Sequence, residues 1–386
     1  MLTMNTMGIK KKRYLSDEIE ETLKKKMVFL GGPRQVGKTT LSLQFIQPSS
    51  VSNPSYLNWD RTSDKKLILS DQISLKSSQL IFDEIHKYKN WRGLLKGIYD
   101  KYHEDHRFLV TGSARLDYFR KGGDSLLGRY RYFRLHPFSL MELNKNPSAS
   151  DLQVLMKFSG FPEPLLSQNE KTHRLWQRER IVKVVSEDLR DLETVKDVSL
   201  ILLLAEILPS KVGSPLSLKS LEEDLQVSQP TVQRWVNLLN LLYYTFSIAP
   251  YGSPKIRAVK KLHKIYMWDW TQVEEIGFRF ENLVASHLLK YCHYVEDTEG
   301  YDMELRYLRD TDGREIDFVV LKNNKPLFAV ECKTGEKQLS KHIAYFKERT
   351  SIPEFYQVHT GTKDFGSNKT GRVLPFTIFC KEKEIP

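Results

Sequence analysis

The chain has 386 residues, more than one ordinary hydrophobic core accommodates, so we expect two or three domains. Apolar residues make up 40% of the chain and charged residues 28%, a composition typical of soluble globular proteins. The formal net charge of +11 favours an anionic partner, nucleic acid first, although a solvated basic surface would give the same sum.

Three features bear on the location of the protein. Its cysteines, Cys292, Cys332 and Cys380, are spaced too widely for a disulfide framework or a zinc site, which favours a reducing cytoplasm. No uncharged apolar stretch is long enough to cross a bilayer. The basic residues 10–13 are not followed by the apolar core of a secretory signal. We therefore expect a cytoplasmic protein that does not enter the membrane.

A glycine-rich stretch matches G-x-x-x-x-G-K-[ST], the pattern of phosphate-binding loops. An apolar run at residues 27–30 precedes it and a predicted helix at residues 39–45 follows, which is the strand–loop–helix context that the pattern requires. Glycines let the backbone curl so that its N–H groups point at phosphate oxygens. A chance match in a turn is the alternative. The predicted nucleotide-binding residues are Gly32, Pro33, Arg34, Gln35, Val36, Gly37, Lys38, Thr39 and Thr40.

A second stretch, residues 79–84, is a short apolar run that ends in two carboxylates. It predicts a buried parallel strand whose carboxyl end lies beside the phosphate loop, where open α/β sheets place ligands. We expect Asp83 and the Thr39 hydroxyl to hold Mg²⁺, and Lys38 to reach the β- and γ-phosphates. Glu84 would polarise the water that attacks the γ-phosphate. A strand that simply ends in an acidic turn is the alternative.

Two more strands complete the predicted nucleotide domain. Residues 107–113 end in hydroxyl side chains, and Thr111 or Ser113 would sense the γ-phosphate from a strand between the two nucleotide motifs; a plain turn is the alternative. Arg129 directly precedes a predicted strand at residues 130–135. It would act as an arginine finger, within its own chain or toward a neighbouring subunit, or be an ordinary surface residue.

The middle of the chain has two predicted parts. Residues 146–198 are charged and helical, and we expect a helical lid or linker. Residues 199–270 contain helices and strands in the order of a winged helix, whose Thr231, Gln233 and Arg234 would face a major groove if it bound DNA. Packing between domains is the alternative, and we expect no base contacts. A basic strip that would hold phosphates consists of Lys255, Arg257, Lys260, Lys261, His263 and Lys264.

The C-terminal part carries an apolar hairpin bracketed by charged residues. Glu331 and Lys333 are two residues apart, so on a strand they point to one face. With a three-residue loop, Asp317 falls directly opposite Glu331, and the two carboxylates are close enough to share a cation. A two- or four-residue loop would place them on opposite faces unless a bulge corrects the register. A shared Mg²⁺ would explain the charges.

Several motifs occur in a fixed order along the chain. They are Gly-Pro-Arg-Gln-Val-Gly-Lys-Thr-Thr, Phe-Asp-Glu-Ile-His, Thr-Gly-Ser-Ala, Leu-Leu-Gly-Arg, Leu-His-Pro-Phe-Ser-Leu-Met-Glu and, later, Gly-Phe-Pro-Glu-Pro. Together they resemble a prokaryotic family of AAA-type ATPases that is largely uncharacterised. The resemblance spans most of the chain, implies ATP binding, and leaves the biological role open.

The C-terminal order of helix, strand, Asp, hairpin, Glu-x-Lys and helix resembles the PD-(D/E)xK nuclease superfamily. By that resemblance Asp317 and Glu331 bind Mg²⁺, and Lys333 orients or activates the attacking water. Glu281, from the first helix, would support the site. A surviving fold with an idle site that merely binds is the alternative.

The sequence thus predicts an α/β protein with four parts. They are a P-loop ATPase domain with a parallel sheet and an extra strand between the nucleotide motifs (1–145), a helical lid (146–198), a winged helix (199–270) and a restriction-endonuclease-like domain (271–386). We expect a Mg²⁺-dependent ATPase coupled to a DNA-binding or DNA-cleaving domain. The alternative is an ATP-driven switch whose C-terminal domain binds nucleic acid or protein without cleaving. Expected partners are ATP, nucleic acid (DNA first) and further copies of the chain.

Overall fold

The computed structural model describes residues 11–112, 126–188, 197–252, 262–368 and 370–386. The chain forms two compact units, one from the residues up to Gly32 and Gly37–Leu135, the other from Pro33–Val36 and His136–Pro386. The predictions for Ser113 and for Lys255, Arg257, Lys260 and Lys261 lie outside the described residues. Within the described residues, no helix combines the length and apolar composition that a bilayer span requires.

A parallel sheet of five strands forms the centre of the first unit, in the order β2-β3-β4-β1-β5. Strands β1 and β3 are buried along their whole length, which explains their unbroken apolar sequences. Strand β4 lies between β1 and β3, as the sequence predicts. The elements are α1 (Ser16–Leu23), β1 (Met27–Gly31), α2 (Lys38–Ser42), β2 (Tyr56–Asn58), α3 (Thr62–Leu69), β3 (Gln79–Asp83), α4 (Trp91–Tyr102), β4 (Arg107–Thr111) and β5 (Tyr130–Arg134).

Because all five strands run in the same direction, their carboxyl ends meet at one edge of the sheet. Gly31, Asn58, Asp83 and Thr111 close four of these strands at that edge. The aromatic side chains of Phe29, Phe82, Phe108 and Trp91 belong to the core behind it. The edge is therefore held on a rigid, buried support.

Helices come first in the second unit. They are α5 (Leu140–Leu143), α6 (Ala149–Phe158), α7 (Pro162–Ser167), α8 (Glu170–Val182), which runs into a π-helical turn (Lys183–Asp188), α9 (Val198–Ile207), α10 (Leu218–Leu225) and α11 (Gln229–Leu241). The buried Arg180 on α8 donates to the Tyr243 carbonyl at 2.9 Å, and its guanidinium lies 4.6 Å from the Phe161 ring centre. These contacts fix α8 against the end of α11.

An eight-stranded sheet follows, in the order β12-β13-β11-β10-β9-β8-β6-β7. Its elements are β6 (Thr245–Pro250), β7 (Lys264–Met267), α12 (Ile276–Glu299), β8 (Met303–Arg309), β9 (Glu315–Lys322), β10 (Lys325–Lys333), α13 (Lys341–Arg349), β11 (Phe355–His359), β12 (Phe365–Ser367), β13 (Gly371–Pro375) and α14 (Phe376–Glu382). Strand β6 pairs with β7 and also with β8. The strands predicted as a wing are thus part of the C-terminal sheet, and the predicted boundary after residue 270 falls inside one structural unit.

The β9–β10 hairpin turns through only two residues, Asn323 and Asn324, whose φ values of 50° and 61° suit a tight hairpin turn. Alone, this turn would pair position 317 with 330. A bulge between Pro326 and Phe328 shifts the register by one residue, so that Phe318 pairs with Val330. Continued by one step, this register would set position 317 opposite 331, and the Cys332 N–H does donate to Asp317 Oδ2 at 2.8 Å. The predicted facing carboxylates therefore arise by the bulged route, not from a three-residue loop.

Strand β7 is an edge of this sheet, and a side chain covers its free backbone groups. Asn282 on α12 accepts from the Met267 N–H at 2.8 Å and donates to the Met267 carbonyl at 2.8 Å. Both residues are fully buried, so no water would replace these bonds. The Asn282 side-chain amide therefore satisfies the Met267 backbone groups that a neighbouring strand would otherwise pair with.

We expect Asn282→Ala to lower the free energy of unfolding by about 2 to 4 kcal/mol, because two buried backbone groups lose their partner. Urea unfolding followed by circular dichroism measures the change. Asn237→Ala is the matched control, since Asn237 is exposed on α11 and, within the described parts of the chain, its side chain bonds only to that of Gln233. Equal stability of the two variants would contradict this role of Asn282.

Candidate nucleotide-binding site and C-terminal carboxylate site

The phosphate loop has the backbone that its glycines predict. Gly32 has a φ of 129°, and a Cβ atom there would lie 2.4 Å from the Leu135 carbonyl oxygen. Gly37, with a φ of 98°, caps the N-terminus of α2. The Lys38 ammonium donates to the Gly32 carbonyl at 2.9 Å, so its side chain folds back over the loop. Only glycine fits position 32 without displacing the strand end beside it.

Asp83 accepts hydrogen bonds from three hydroxyl groups at the carboxyl edge of the first sheet. Its Oδ2 accepts from Thr39 at 3.0 Å and from Tyr56 at 2.5 Å, and its Oδ1 accepts from Thr111. Only 4% of Asp83 is exposed. The structure thus brings together Lys38, Thr39 and Asp83, which the sequence predicts as one site. A hydroxyl beside a carboxylate at the start of a helix is the donor set that Mg²⁺ takes beside bound phosphates.

Glu84 follows Asp83 in a left-handed backbone conformation with a φ of 59°. Its N–H donates to the Thr111 carbonyl at 3.0 Å, which ties it to β4. Its Oε2 lies 3.5 Å from His86 Nε2 and 3.5 Å from Lys87 Nζ. These two side chains hold the carboxylate that the sequence predicts as the water-polarising group.

Tyr56 is a residue of this site that the sequence does not reveal. Tyr56 lies at the start of β2 and pairs with Ile81 on β3. Asp83 is two residues further along β3, and the Tyr56 ring extends over that distance so that its hydroxyl reaches the carboxylate. Asn58 Nδ2 donates to the Tyr56 hydroxyl at 3.1 Å. Burial, followed by the charge of Asp83, raises the pKa of Tyr56, so the hydroxyl stays a donor. An aromatic residue at a strand start has the pattern of a core residue, which hides this role.

Thr111, one of the two predicted γ-phosphate sensors, is fully buried and bonds to Asp83. Arg129 lies elsewhere. Tyr130, the next residue, pairs with Met27 at the start of β1, so Arg129 lies at the amino edge, about 16 Å of strand away from the phosphate loop. Its Nε contacts Asp100 Oδ1 at 3.0 Å. The structure does not place Arg129 beside the phosphate loop of its own chain, and its role as an arginine finger stays a prediction.

In the second unit, Asp317, Glu331 and Lys333 lie together on β9 and β10. The Cys332 N–H donates to Asp317 Oδ2 at 2.8 Å, and Lys333 Nζ contacts Glu331 Oε1 at 2.7 Å. Burial, then the charges of Glu281 and Glu331, raise the pKa of Asp317 well above its ordinary value. Burial also raises the pKa of Glu331, although Lys333 opposes this. The two carboxylates are therefore short of positive charge.

Glu281 on α12 has partners from strand β7. Its Oε1 accepts from the Tyr266 hydroxyl at 2.8 Å and lies 3.3 Å from Lys264 Nζ. Lys264 also forms an ion pair with Glu315. Lys264 is fully buried, so it is not part of the solvated basic strip that the sequence predicts. Its neighbour in that strip, His263, is exposed.

Two carboxylate side chains at this C-terminal site are suited to bind a divalent cation through their oxygen atoms. Glu331 Oε2 is buried and has no hydrogen-bond partner among the residues that the structure describes, and Asp317 lies across the hairpin from it. Across the described parts of the chain, no group of three or more His, Cys, Asp or Glu side chains is arranged to hold a metal ion. A pair of carboxylates still suits Mg²⁺, which keeps several water ligands and adds substrate phosphates.

Three family models match successive parts of the chain. Residues 24–144 match an AAA domain, residues 149–271 match a domain of unknown function, DUF8612, and residues 276–379 match a domain of unknown function, DUF4143. With the parallel sheet and the phosphate loop, the first match shows that the chain contains an AAA-type domain of the P-loop ATPase kind. The families matched by the other two parts have no assigned activity.

Curated relatives are uncharacterized proteins. One from Methanocaldococcus jannaschii is 22% identical over 375 residues, which cover 88% of this chain and 82% of the relative. One from Mycobacterium tuberculosis is 25% identical over 326 residues, covering 78% of this chain and 71% of the relative. Each match therefore covers most of this chain and most of the relative, but it supplies no function.

Solved structures show weaker similarity. The Thermotoga maritima RuvB Holliday junction branch migration motor is 18% identical, with a TM-score of 0.32, over 62% of this chain and 89% of that one. The Aeropyrum pernix ORC1 protein in complex with DNA is 13% identical, with a TM-score of 0.33, over 70% of this chain and 94% of that one.

We expect Tyr56→Phe to raise the Mg²⁺ concentration needed for half-maximal ATP turnover about fivefold or more, because Asp83 loses one of its charge-assisted hydrogen bonds. Turnover measured against Mg²⁺ at fixed ATP tests this. Tyr88→Phe is the matched control: the Tyr88 ring packs 4.9 Å from Trp59, and its hydroxyl has no hydrogen-bond partner among the described residues. A Mg²⁺ dependence equal to that of the wild type would contradict the assignment.

Proposed function

We propose that the chain is a Mg²⁺-dependent ATPase whose AAA domain acts on a C-terminal part that binds, and cleaves, DNA. The observation that carries the ATPase half is the contact of the Thr39 hydroxyl with Asp83 directly behind the phosphate loop. The observation that supports the second half is the arrangement of Asp317, Glu331 and Lys333 on one hairpin.

At the first site, each side chain has a distinct role toward MgATP. The N–H groups of the loop and of the N-terminus of α2 would donate hydrogen bonds to the phosphate oxygens. The Lys38 ammonium leaves the Gly32 carbonyl and neutralises charge on the β- and γ-phosphates. Thr39 and Asp83 would hold a Mg²⁺, which would supply stabilisation of the charge that develops on the phosphate oxygens. Glu84 accepts a hydrogen bond from the attacking water and orients it.

The interactions of Glu84 suggest how turnover would be restrained. His86 and Lys87 lie 3.5 Å from its carboxylate, and Lys87 is also 2.6 Å from Asp60 after β2. Positive charge so near the carboxylate makes it a weaker hydrogen-bond acceptor for water. Arg129 at the amino edge of the sheet would complete a neighbouring subunit's site, which fits a homo-oligomer.

At the C-terminal site, the chain's own residues would hold and polarise a scissile phosphate. Asp317 and Glu331 would hold a divalent cation, which polarises the phosphate and lowers the pKa of bound water. Lys333 is within contact of Glu331, so its ammonium is placed to orient the attacking water or to stabilise charge on the phosphate. DNA contacts would also come from α11, where Gln233 and Arg234 are exposed.

The alternative is an ATP-driven switch whose C-terminal part binds without cleaving. One observation favours it: among the described residues of the C-terminal site, only Asp317 and Glu331 would be available to a metal, because Glu281 is bound by Lys264 and Tyr266. Under this alternative, DNA or protein binding would change ATP turnover, and no phosphodiester bond would break.

We expect Glu84→Gln to reduce ATP turnover at least about 100-fold while ATP binding persists, because the amide does not accept the water's proton. Phosphate release and nucleotide binding, measured on the same preparation, test both halves of the expectation. Glu104→Gln, an exposed acid after α4, is the matched control and should not change turnover. Turnover within twofold of the wild type in Glu84→Gln would overturn the ATPase mechanism.

For the C-terminal site, the purified chain is incubated with linear, circular and branched DNA in Mg²⁺, with and without ATP. We expect cleavage that Asp317→Asn and Lys333→Ala each reduce at least about 100-fold. Lys325→Ala, at the exposed turn of the same hairpin, is the matched control. Intact DNA in every condition, together with ATP turnover that changes when DNA is added, would favour the non-cleaving switch.

A further inference from the structure

A buried lysine stands next to the C-terminal site and belongs to none of the roles above. Lys264 on β7 is 0% exposed, and its ammonium contacts Glu281 at 3.3 Å and forms an ion pair with Glu315. A buried ammonium is costly unless it is paired. Burial alone would lower the pKa of Lys264, yet Glu281, Asp317 and Glu315 raise it above its ordinary value. Lys264 is therefore a permanent positive charge inside the acidic cluster.

Tyr266 acts on the same carboxylate from the same strand. Its hydroxyl donates to Glu281 Oε1 at 2.8 Å, so one oxygen of Glu281 is held by two groups from β7. Burial and the charge of Glu281 raise the pKa of Tyr266, which keeps the hydroxyl protonated. The two bonds fix the direction in which the Glu281 carboxylate points.

Strand β7 itself cannot easily move away from α12. Asn282, the residue after Glu281, bonds to both backbone groups of Met267, the residue after Tyr266. The strand and the helix are thus joined beside the acidic cluster by bonds at 2.8 Å. Lys264 and Tyr266 are presented to Glu281 by a fixed edge strand.

The positive and negative side chains of the cluster nearly balance one another while Glu281, the acid on α12, binds no metal. Lys264 pairs with Glu281 and Glu315, Arg309 contacts Glu315 at 2.8 Å, and Lys333 contacts Glu331 at 2.7 Å. Four carboxylates therefore face three cations, and Asp317 is the acid that none of these ion pairs includes. The remaining demand for positive charge lies at Asp317 and the unpartnered Oε2 of Glu331.

We propose that Lys264 and Tyr266 hold Glu281 out of the metal's ligand set, so that the C-terminal site takes one divalent cation through Asp317 and Glu331 alone. This inference rests on the proposed function of that site. It makes Lys264 a positioning residue, and it makes strand β7 a component of the site although it precedes the hairpin by some fifty residues of chain. Released from β7, Glu281 would become a further oxygen ligand.

The test is Mn²⁺ binding to the full, nucleotide-free chain, with free Mn²⁺ measured by electron paramagnetic resonance. We expect the wild type to bind one Mn²⁺ that Asp317→Asn abolishes. In Lys264→Met we expect Mn²⁺ to bind at least about tenfold more tightly, or a second Mn²⁺ to bind, because a carboxylate ligand is released and a competing cation is gone. Adding Glu281→Gln to Lys264→Met should restore the wild-type isotherm.

A Lys264→Met variant that folds and binds Mn²⁺ as the wild type does would overturn the inference while leaving the metal site intact. Equal binding by the wild type and Asp317→Asn would instead overturn the metal site on which the inference rests.

Tyr266→Phe covers the case in which loss of the buried ammonium prevents folding. It should tighten Mn²⁺ binding about twofold to fivefold, reversed by Glu281→Gln. Tyr356→Phe, whose hydroxyl donates to Glu354 at 2.8 Å in the same sheet, should bind as the wild type, and equal behaviour of the two tyrosine variants would also overturn the inference.

Discussion

The buried carboxylate of Asp83 connects the parts of the nucleotide site. It accepts hydrogen bonds from α2, β2 and β4, so the helix behind the phosphate loop and two flanking strands are fixed to the end of β3. A buried carboxylate is stable only when its oxygens are satisfied, and three hydroxyls do this here. A cation that takes Thr39 and Asp83 as ligands would replace the hydrogen bond between these two side chains. Binding of Mg²⁺ at this place would therefore be coupled to the packing of the sheet edge, through which the nucleotide state would reach Glu84 and β4.

The C-terminal site depends on strand register. A one-residue slip would send Asp317 to the face opposite Glu331, so the bulge after the Asn323-Asn324 turn decides whether the two carboxylates meet. Strand β7 adds a second level of control, because its lysine and tyrosine determine the direction of Glu281. The bulge and the two side chains of β7 thus set the geometry and the charge of the candidate site.

Much of the first site could be predicted from the sequence. The strand–loop–helix pattern places Lys38 and Thr39, and the parallel arrangement brings the end of the β3 segment to the same edge. The same reasoning would have placed Arg129 at the opposite edge, because a residue that precedes a parallel strand lies at its amino end. Tyr56 escaped prediction because its contact crosses between two strands, and pairing between strands is not written in a local pattern.

The second unit was harder to predict for physical reasons. The bulge lies beside Pro326, which has no N–H to donate to the ladder, yet its effect on register depends on tertiary packing. Lys264 ends a run of basic residues and has the pattern of a solvated side chain. Only the pairing of β6 with β8 puts it inside the acidic cluster. Helix α13 begins at Lys341 because Ser340 caps it.

We propose that Thr39 and Asp83 hold the Mg²⁺ of a bound MgATP. The most direct test is ATP affinity measured with Mg²⁺ and with a chelator, for the wild type and for Asp83→Asn. We expect Mg²⁺ to tighten ATP binding by the wild type at least about tenfold, and we expect this gain to disappear in Asp83→Asn. The same Mg²⁺-dependent gain in both proteins would contradict it.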